Sequence, residues 1–182
     1  RINDDNTLED STFENLKTLL DSWKSLETLS INLMDCAGIT NTGIELLAEG
    51  FKGIGQLRIL GLDFSWCKKV NGDVLQPLYE ILNQMYCLTN LTFNFALLDE
   101  MDDKGVELLA QGLSKMEQLE YLDINFNQCV NISLDGLEHL KNGLLNIESL
   151  KKAYFNFSGC PNLENDLKDW KMSIPKFVFI EI

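Results

Sequence analysis

The chain is 182 residues long, 45% apolar and 24% charged, the length of one domain and the composition of an ordinary globular protein. It contains no run near the roughly 20 apolar residues of a membrane-spanning helix, so membrane insertion is disfavoured. Fifteen Lys and Arg against 28 Asp and Glu leave a net charge of −13, a surface that repels phosphate backbones and disfavours nucleic acid as a partner.

Internal repetition decides the fold class. Leu26, Leu57, Leu88, Leu119 and Leu150 recur at a constant spacing. With each leucine as position 0, position 3 holds Leu29, Leu60, Leu91, Leu122 and Ala153. Position 5 holds Ile31, Leu62, Phe93, Ile124 and Phe155, and position 7 holds Leu33, Phe64, Phe95, Phe126 and Phe157. Apolar residues at 3, 5 and 7 alternating with polar ones predict a strand with one buried face. Positions 18, 21, 25 and 28 hold Ile44, Leu47, Phe51 and Ile54 in one unit and Val106, Leu109, Leu113 and Met116 in another. That spacing is one stripe of a helix.

In chain order, residues 1–25 are a partial repeat with Phe13, Leu16, Leu20 and Trp23 on its helix stripe. Four full repeats follow at 26–56, 57–87, 88–118 and 119–149, each strand, loop and helix. The second departs from the rest. Val74 and Ile81 stand where other repeats carry Gly43, Gly105 and Gly136 or Gly50, Gly112 and Gly143, and Pro77 and Tyr79 lie in its helix, which predicts wider helix spacing there. Residues 150–182 are a last repeat with a short helix near Asn165–Lys171. Ile174, Phe177 and Phe179 then restart the 0, 3, 5 pattern, so residues 176–182 read as a terminal strand after Pro175. Ile2 lands at position 7, partway along a strand, and the chain reads as a piece of a longer protein.

A strand and helix crossover of this length leads to a parallel neighbour, so the units stack as a solenoid. Strands sit about 4.8 Å apart while helices are about 10 Å wide, which bends the stack with its strands inside. The pattern LxxLxLxFxxCxxI followed by Gly and Leu resembles leucine-rich repeats, nearest to the ribonuclease-inhibitor-like class. The segment Cys36–Thr40 with Gly43 is similar to the cysteine-containing class, and the repeat length with Asn94-Phe95, Asn125-Phe126 and Asn156-Phe157 resembles versions abundant in ciliate proteins. The resemblance implies a single α/β horseshoe with parallel strands on the concave face and helices on the convex face. It specifies no ligand, because the family is a scaffold for many partners.

Four of five cysteines (Cys36, Cys67, Cys129 and Cys160) share position 10, which predicts buried thiols that satisfy loop carbonyls. Zinc would need four convergent ligands, and disulfides would break the repetition. Five unpaired thiols fit a reducing compartment. His139, the one histidine, is expected partly buried on its helix with no catalytic partner. The acidic run Asp99–Asp103 lacks calcium-loop spacing and is expected to cap a helix. No nucleophile, Walker or HExxH motif occurs, so no enzyme activity and no cofactor are expected.

Positions 2, 4, 6 and 8 should face solvent on the concave side. Position 6 reads Asn32, Asp63, Asn94, Asn125 and Asn156, expected as a hydrogen-bonded ladder along the sheet. The candidate protein-binding residues are Ile59, Tyr121, Asp123, Lys152 and Tyr154 on the strands, with Trp66 and Leu97, both at position 9, as an apolar patch at the strand ends. The expected function is a non-enzymatic protein-interaction scaffold in a larger cytoplasmic, cytoskeletal or ciliary assembly, with a bias toward basic partners. The alternatives are a substrate-binding region of a ubiquitin-ligase receptor or kinase-linked protein, and an inhibitor of a basic protein such as a nuclease.

Overall fold

A computed structural model describes residues 8–163, 167–175 and 178–181. Helix α1 (Ser11–Ser22) is followed by β1 (Thr28–Asn32), α2 (Asn41–Phe51), β2 (Ile59–Asp63), α3 (Leu75–Leu82), β3 (Asn90–Asn94), α4 (Asp103–Leu113), β4 (Tyr121–Asn125), α5 (Leu134–Leu144), β5 (Lys152–Asn156), α6 (Leu167–Ser173) and β6 (Val178–Glu181). The six strands form one parallel sheet in sequence order, and β1 to β5 pair position for position, Leu29 with Leu60, Leu91, Leu122 and Ala153. This is the solenoid that the repeat spacing predicts.

The core lies between the sheet and the helices. The residues of β1 to β5 at position 5 and of the following turns at positions 7, 10 and 13 are buried throughout. Position 7 forms an aromatic spine: Phe64, Phe95, Phe126 and Phe157 stack with centroids 5.9, 5.7 and 5.5 Å apart. Trp170 of α6 meets Phe157 edge-on at 6.1 Å and donates its indole N–H to Leu137 O at 2.9 Å, so it closes the spine at that end. Buried thiols brace the turns. Cys67, Cys129 and Cys160 donate to the carbonyls of Leu33, Phe95 and Phe126, each at position 7 of the repeat before. Burial pushes the Cys67 and Cys129 thiols up to about 12, which keeps them protonated and able to donate.

Helix starts are clasped from repeat to repeat. The Asp103 carboxylate accepts from Ser133 N–H at 2.7 Å and from Ser133 Oγ at 2.6 Å, and Asp10 holds Thr40 in the same way. Thr40 and Ser133 in turn cap α2 and α5. A Cβ on Gly43 or Gly136 would sit 2.4 Å from the clasping carboxylate oxygen, so the glycine at position 17 makes room for the clasp. Asp102 caps α4 through Gly105 N–H, as expected, whereas Asp103 serves the next repeat. In the second repeat a 3₁₀ turn, Gly72–Val74, takes the place of the first helical turn. Gly72 has no side chain to clasp Asp102.

The wider helix spacing expected there is present. A groove of about 520 Å³ opens between α2 and α3, with Ala48, Pro77 and Ile81 on its walls. By contrast, a Cβ on Gly143 would lie 2.6 Å from Ala110 O, so α4 and α5 approach backbone to backbone.

Three expectations need correction. Trp23, expected on the helix stripe of the first repeat, follows the last residue of α1 and is 44% exposed. Val178, not Phe177, pairs with Ala153, so Phe179 pairs with Tyr154 at position 4 and Ile180 takes position 5. A one-residue slip moves every side chain to the other face, and Phe179 is 45% exposed on the concave side instead of buried. Ala153 and Val178 are 25 residues apart, one more than the 24 that the restarted pattern implies. His139 is exposed on α5, although Leu46 and Leu108 at the same repeat position are partly buried against the core. Ile2, Asn165, Phe177 and Ile182 lie outside the described residues.

Candidate protein-interaction surface

Tyr121 of β4 and Tyr154 of β5 are half-buried on the concave sheet, with ring centroids 5.6 Å apart. Tyr154 stacks on Phe179 of β6 at 4.9 Å and 16°. Three neighbouring strands thus carry a continuous aromatic strip, and sequence reasoning found only two of its members because it placed Phe179 one position off. The Tyr121 hydroxyl donates to Asp123 Oδ2 at 3.3 Å, and burial with the Asp123 charge raises the Tyr121 pKa, so the phenol keeps its proton. Asn156 Nδ2 donates to Glu181 Oε2 at 3.3 Å. Tyr121, Asp123, Tyr154, Asn156, Phe179 and Glu181 line a depression of about 340 Å³.

The other candidates scatter. Lys152 pairs in register with Tyr121 and is exposed beside the strip. Ile59, 44% exposed, is two strands away across Asn90. Trp66 and Leu97 sit on the loop rim, where position 9 has positive φ, 64° and 61°, as it does at Asp35, Gln128 and Gly159. The next repeat holds this strained backbone: Trp66 N–H donates to Ala96 O and Leu97 N–H to Asn127 O. Only Gly159 announces the conformation in the sequence. Trp66 is 45% exposed with the Lys68 ammonium 6.0 Å from its ring, while Leu97 is half-buried.

The polar row at position 6 acts mainly in turns. Asn32, Asn94, Asn125 and Asn156 each accept from the backbone N–H two residues on, as does Asp63. The expected bonding along the sheet is seen between Asn94 Nδ2 and Asp63 Oδ2 at 3.0 Å. Among the described residues no group of three or more His, Cys, Asp or Glu is placed to hold a metal ion, and no helix is long and apolar enough to cross a membrane.

A parallel one-strand, one-helix solenoid with a solvent-facing strand surface is a leucine-rich-repeat fold. No family model and no curated protein matches the chain. Solved structures do match. Leiomodin-1 actin-binding site 2 is similar at a TM-score of 0.62 and 16% identity, over 88% of this chain and 84% of that one. A chain of the yeast Rad7 and Elc1 complex is similar at 0.52 and 18%, over 96% of this chain and 42% of that one. At these identities the likeness is one of fold.

Proposed function

We propose that the chain is a non-enzymatic scaffold that docks a protein partner on its concave strand face, within a larger intracellular assembly. The observation that carries this reading is the strip Tyr121, Tyr154 and Phe179, three aromatic residues side by side on a face whose other outward strand residues are polar apart from Ile59 and Gly61. Rigid aromatic side chains with a polar tip concentrate binding energy at protein interfaces. The thiols at position 10 serve as hydrogen-bond donors, which supports a reducing compartment such as the cytoplasm. A similar fold in a structure titled an actin-binding site supports a cytoskeletal setting, and the ribonuclease-inhibitor-like and ciliate-type repeat pattern adds a ciliary one.

The test is affinity purification with mass spectrometry from the source cell, comparing the wild type with a Tyr121→Ala, Asp123→Lys, Tyr154→Ala variant. The reading expects the variant to lose a defined set of partners. Retention of every partner contradicts it.

A further inference from the structure

We propose that the depression over β4 to β6 receives an arginine-bearing segment of the partner, its guanidinium lying on the aromatic strip against Asp123. This rests on the reading of the concave face as the docking surface and adds the chemistry of what docks.

The charge of the face points that way. Along the described strands, the outward positions 2, 4 and 6 carry three carboxylates, Asp63, Asp123 and Glu181, and a single cation, Lys152. Asp63 is engaged by Ser65 and Asn94. Asp123 and Glu181 flank the aromatic strip. Asp123 is in register with Tyr154, and Tyr154 with Phe179, so one carboxylate and two rings form a row across three strands. Aromatic rings attract cations, most often arginine, which stacks its planar guanidinium while its fork of donors bonds a carboxylate. A lysine ammonium has no such plane. Asp123 and Glu181 are two strands apart, about 10 Å across the sheet, too far for one guanidinium to bond both. The partner segment therefore carries a second cation for Glu181.

The probe is acetyl-tetra-arginine amide, titrated into the ¹⁵N-labelled 182-residue chain at about 150 mM salt, where the Debye length of about 8 Å screens the general negative field. Expected are amide shifts confined to residues 121–125, 152–156 and 178–181, and weaker binding of acetyl-tetra-lysine amide. An Asp123→Asn, Tyr154→Ala variant should bind about tenfold more weakly or worse. Lys152→Glu, at an exposed position, should bind more tightly and keeps the test open should the double variant not fold. Shifts scattered over the acidic loop 99–103 and the helices, equal binding of the two peptides, or affinity unchanged in Lys152→Glu would each overturn the proposal. A partner that docks on the concave face but is indifferent to Asp123→Asn would overturn the arginine assignment alone. Partners indifferent to the loss of both tyrosines would overturn the docking reading beneath it.

Discussion

Gly112 and Gly143 occupy the same repeat position, each the penultimate residue of its helix, α4 and α5. Alanine should nevertheless act in opposite directions at the two sites. In both, Gly→Ala gains up to about 1 kcal/mol of helix propensity, less backbone entropy being lost on folding. At Gly112 the new methyl would meet Leu82 and Tyr79 at 3.4–3.5 Å, an ordinary contact, because α3 does not press against it. The gain survives, and Gly112→Ala should raise the melting temperature by about 2–4 °C for a chain of this size. At Gly143 the methyl would lie 2.6 Å from Ala110 O and 3.0 Å from Ala110 C and Cα, backbone atoms that cannot rotate away. Relief requires α4 and α5 to part by several tenths of an ångström where Gly143 faces Ala110. Such overpacking costs about 1–3 kcal/mol and exceeds the propensity gain. Gly143→Ala should lower the melting temperature, leaving the two variants about 2 kcal/mol apart. Urea midpoints followed by circular dichroism and by tryptophan emission would measure this. Equal stabilisation at both sites would refute the backbone contact of α4 with α5, and destabilisation at Gly112 would refute the looser seat of α3 against α4.

Phe179→Ala should cost less than about 1 kcal/mol, because the ring is half in solvent, whereas Phe126→Ala in the middle of the spine should cost about 3–5 kcal/mol; urea unfolding of both separates them, and a core-sized loss at Phe179 would restore the unslipped register. Asp103→Ala should destabilise by about 1–3 kcal/mol, since it strips the Ser133 N–H and hydroxyl of their acceptor in a partly buried site, and Ser133→Ala in the same background should then cost only the cap of α5, about 1 kcal/mol. Native protein at neutral pH should react with a thiol reagent at the half-buried Cys87, while Cys36, Cys67, Cys129 and Cys160 react only on unfolding. For Cys67 and Cys129 the folded thiol titrates near 12 against 9.0 for an ordinary one. Their contribution to stability is thus complete below about pH 9 and is lost as pH rises toward 12, because the unfolded chain releases those protons first. Unfolding midpoints that stay level across that window would contradict the burial of the thiols.

The fold was legible because each repeat restates the same pattern. A single run such as Leu26–Leu33 is ambiguous, but its recurrence in five in-register copies at one spacing admits only a stack of parallel units. The loose second repeat was legible for the same reason, as a departure from a glycine pattern that the other repeats define. Where no repeat vouches for the spacing, the sequence misled. After Leu163 the connection to β6 is shorter than in the other repeats, and the first apolar residues that fit the pattern put Phe179 in the core. Its half-buried neighbour Tyr154 was found because position 4 of β5 is fixed by four preceding strands. The clasp between Asp103 and Ser133 was missed because its partners lie 30 residues apart, and a local capping role explains an acidic residue before a helix equally well. The left-handed turn at Trp66 and Leu97 leaves no trace in residue type, since hydrogen bonds from the next repeat, not the side chain, hold it.

The proposed docking surface is the concave strand face at its β4 to β6 end. A photo-crosslinking residue placed in turn at Tyr121, Asp123 and Tyr154, and on the helical side at Gln76, Gln111 and His139, tests it in the source cell with the crosslinked products sequenced. Expected is one partner crosslinked from the first three sites through a segment containing arginine, with none from the helical sites. Crosslinks to a defined partner from the helical sites, with the strand sites silent, would contradict it.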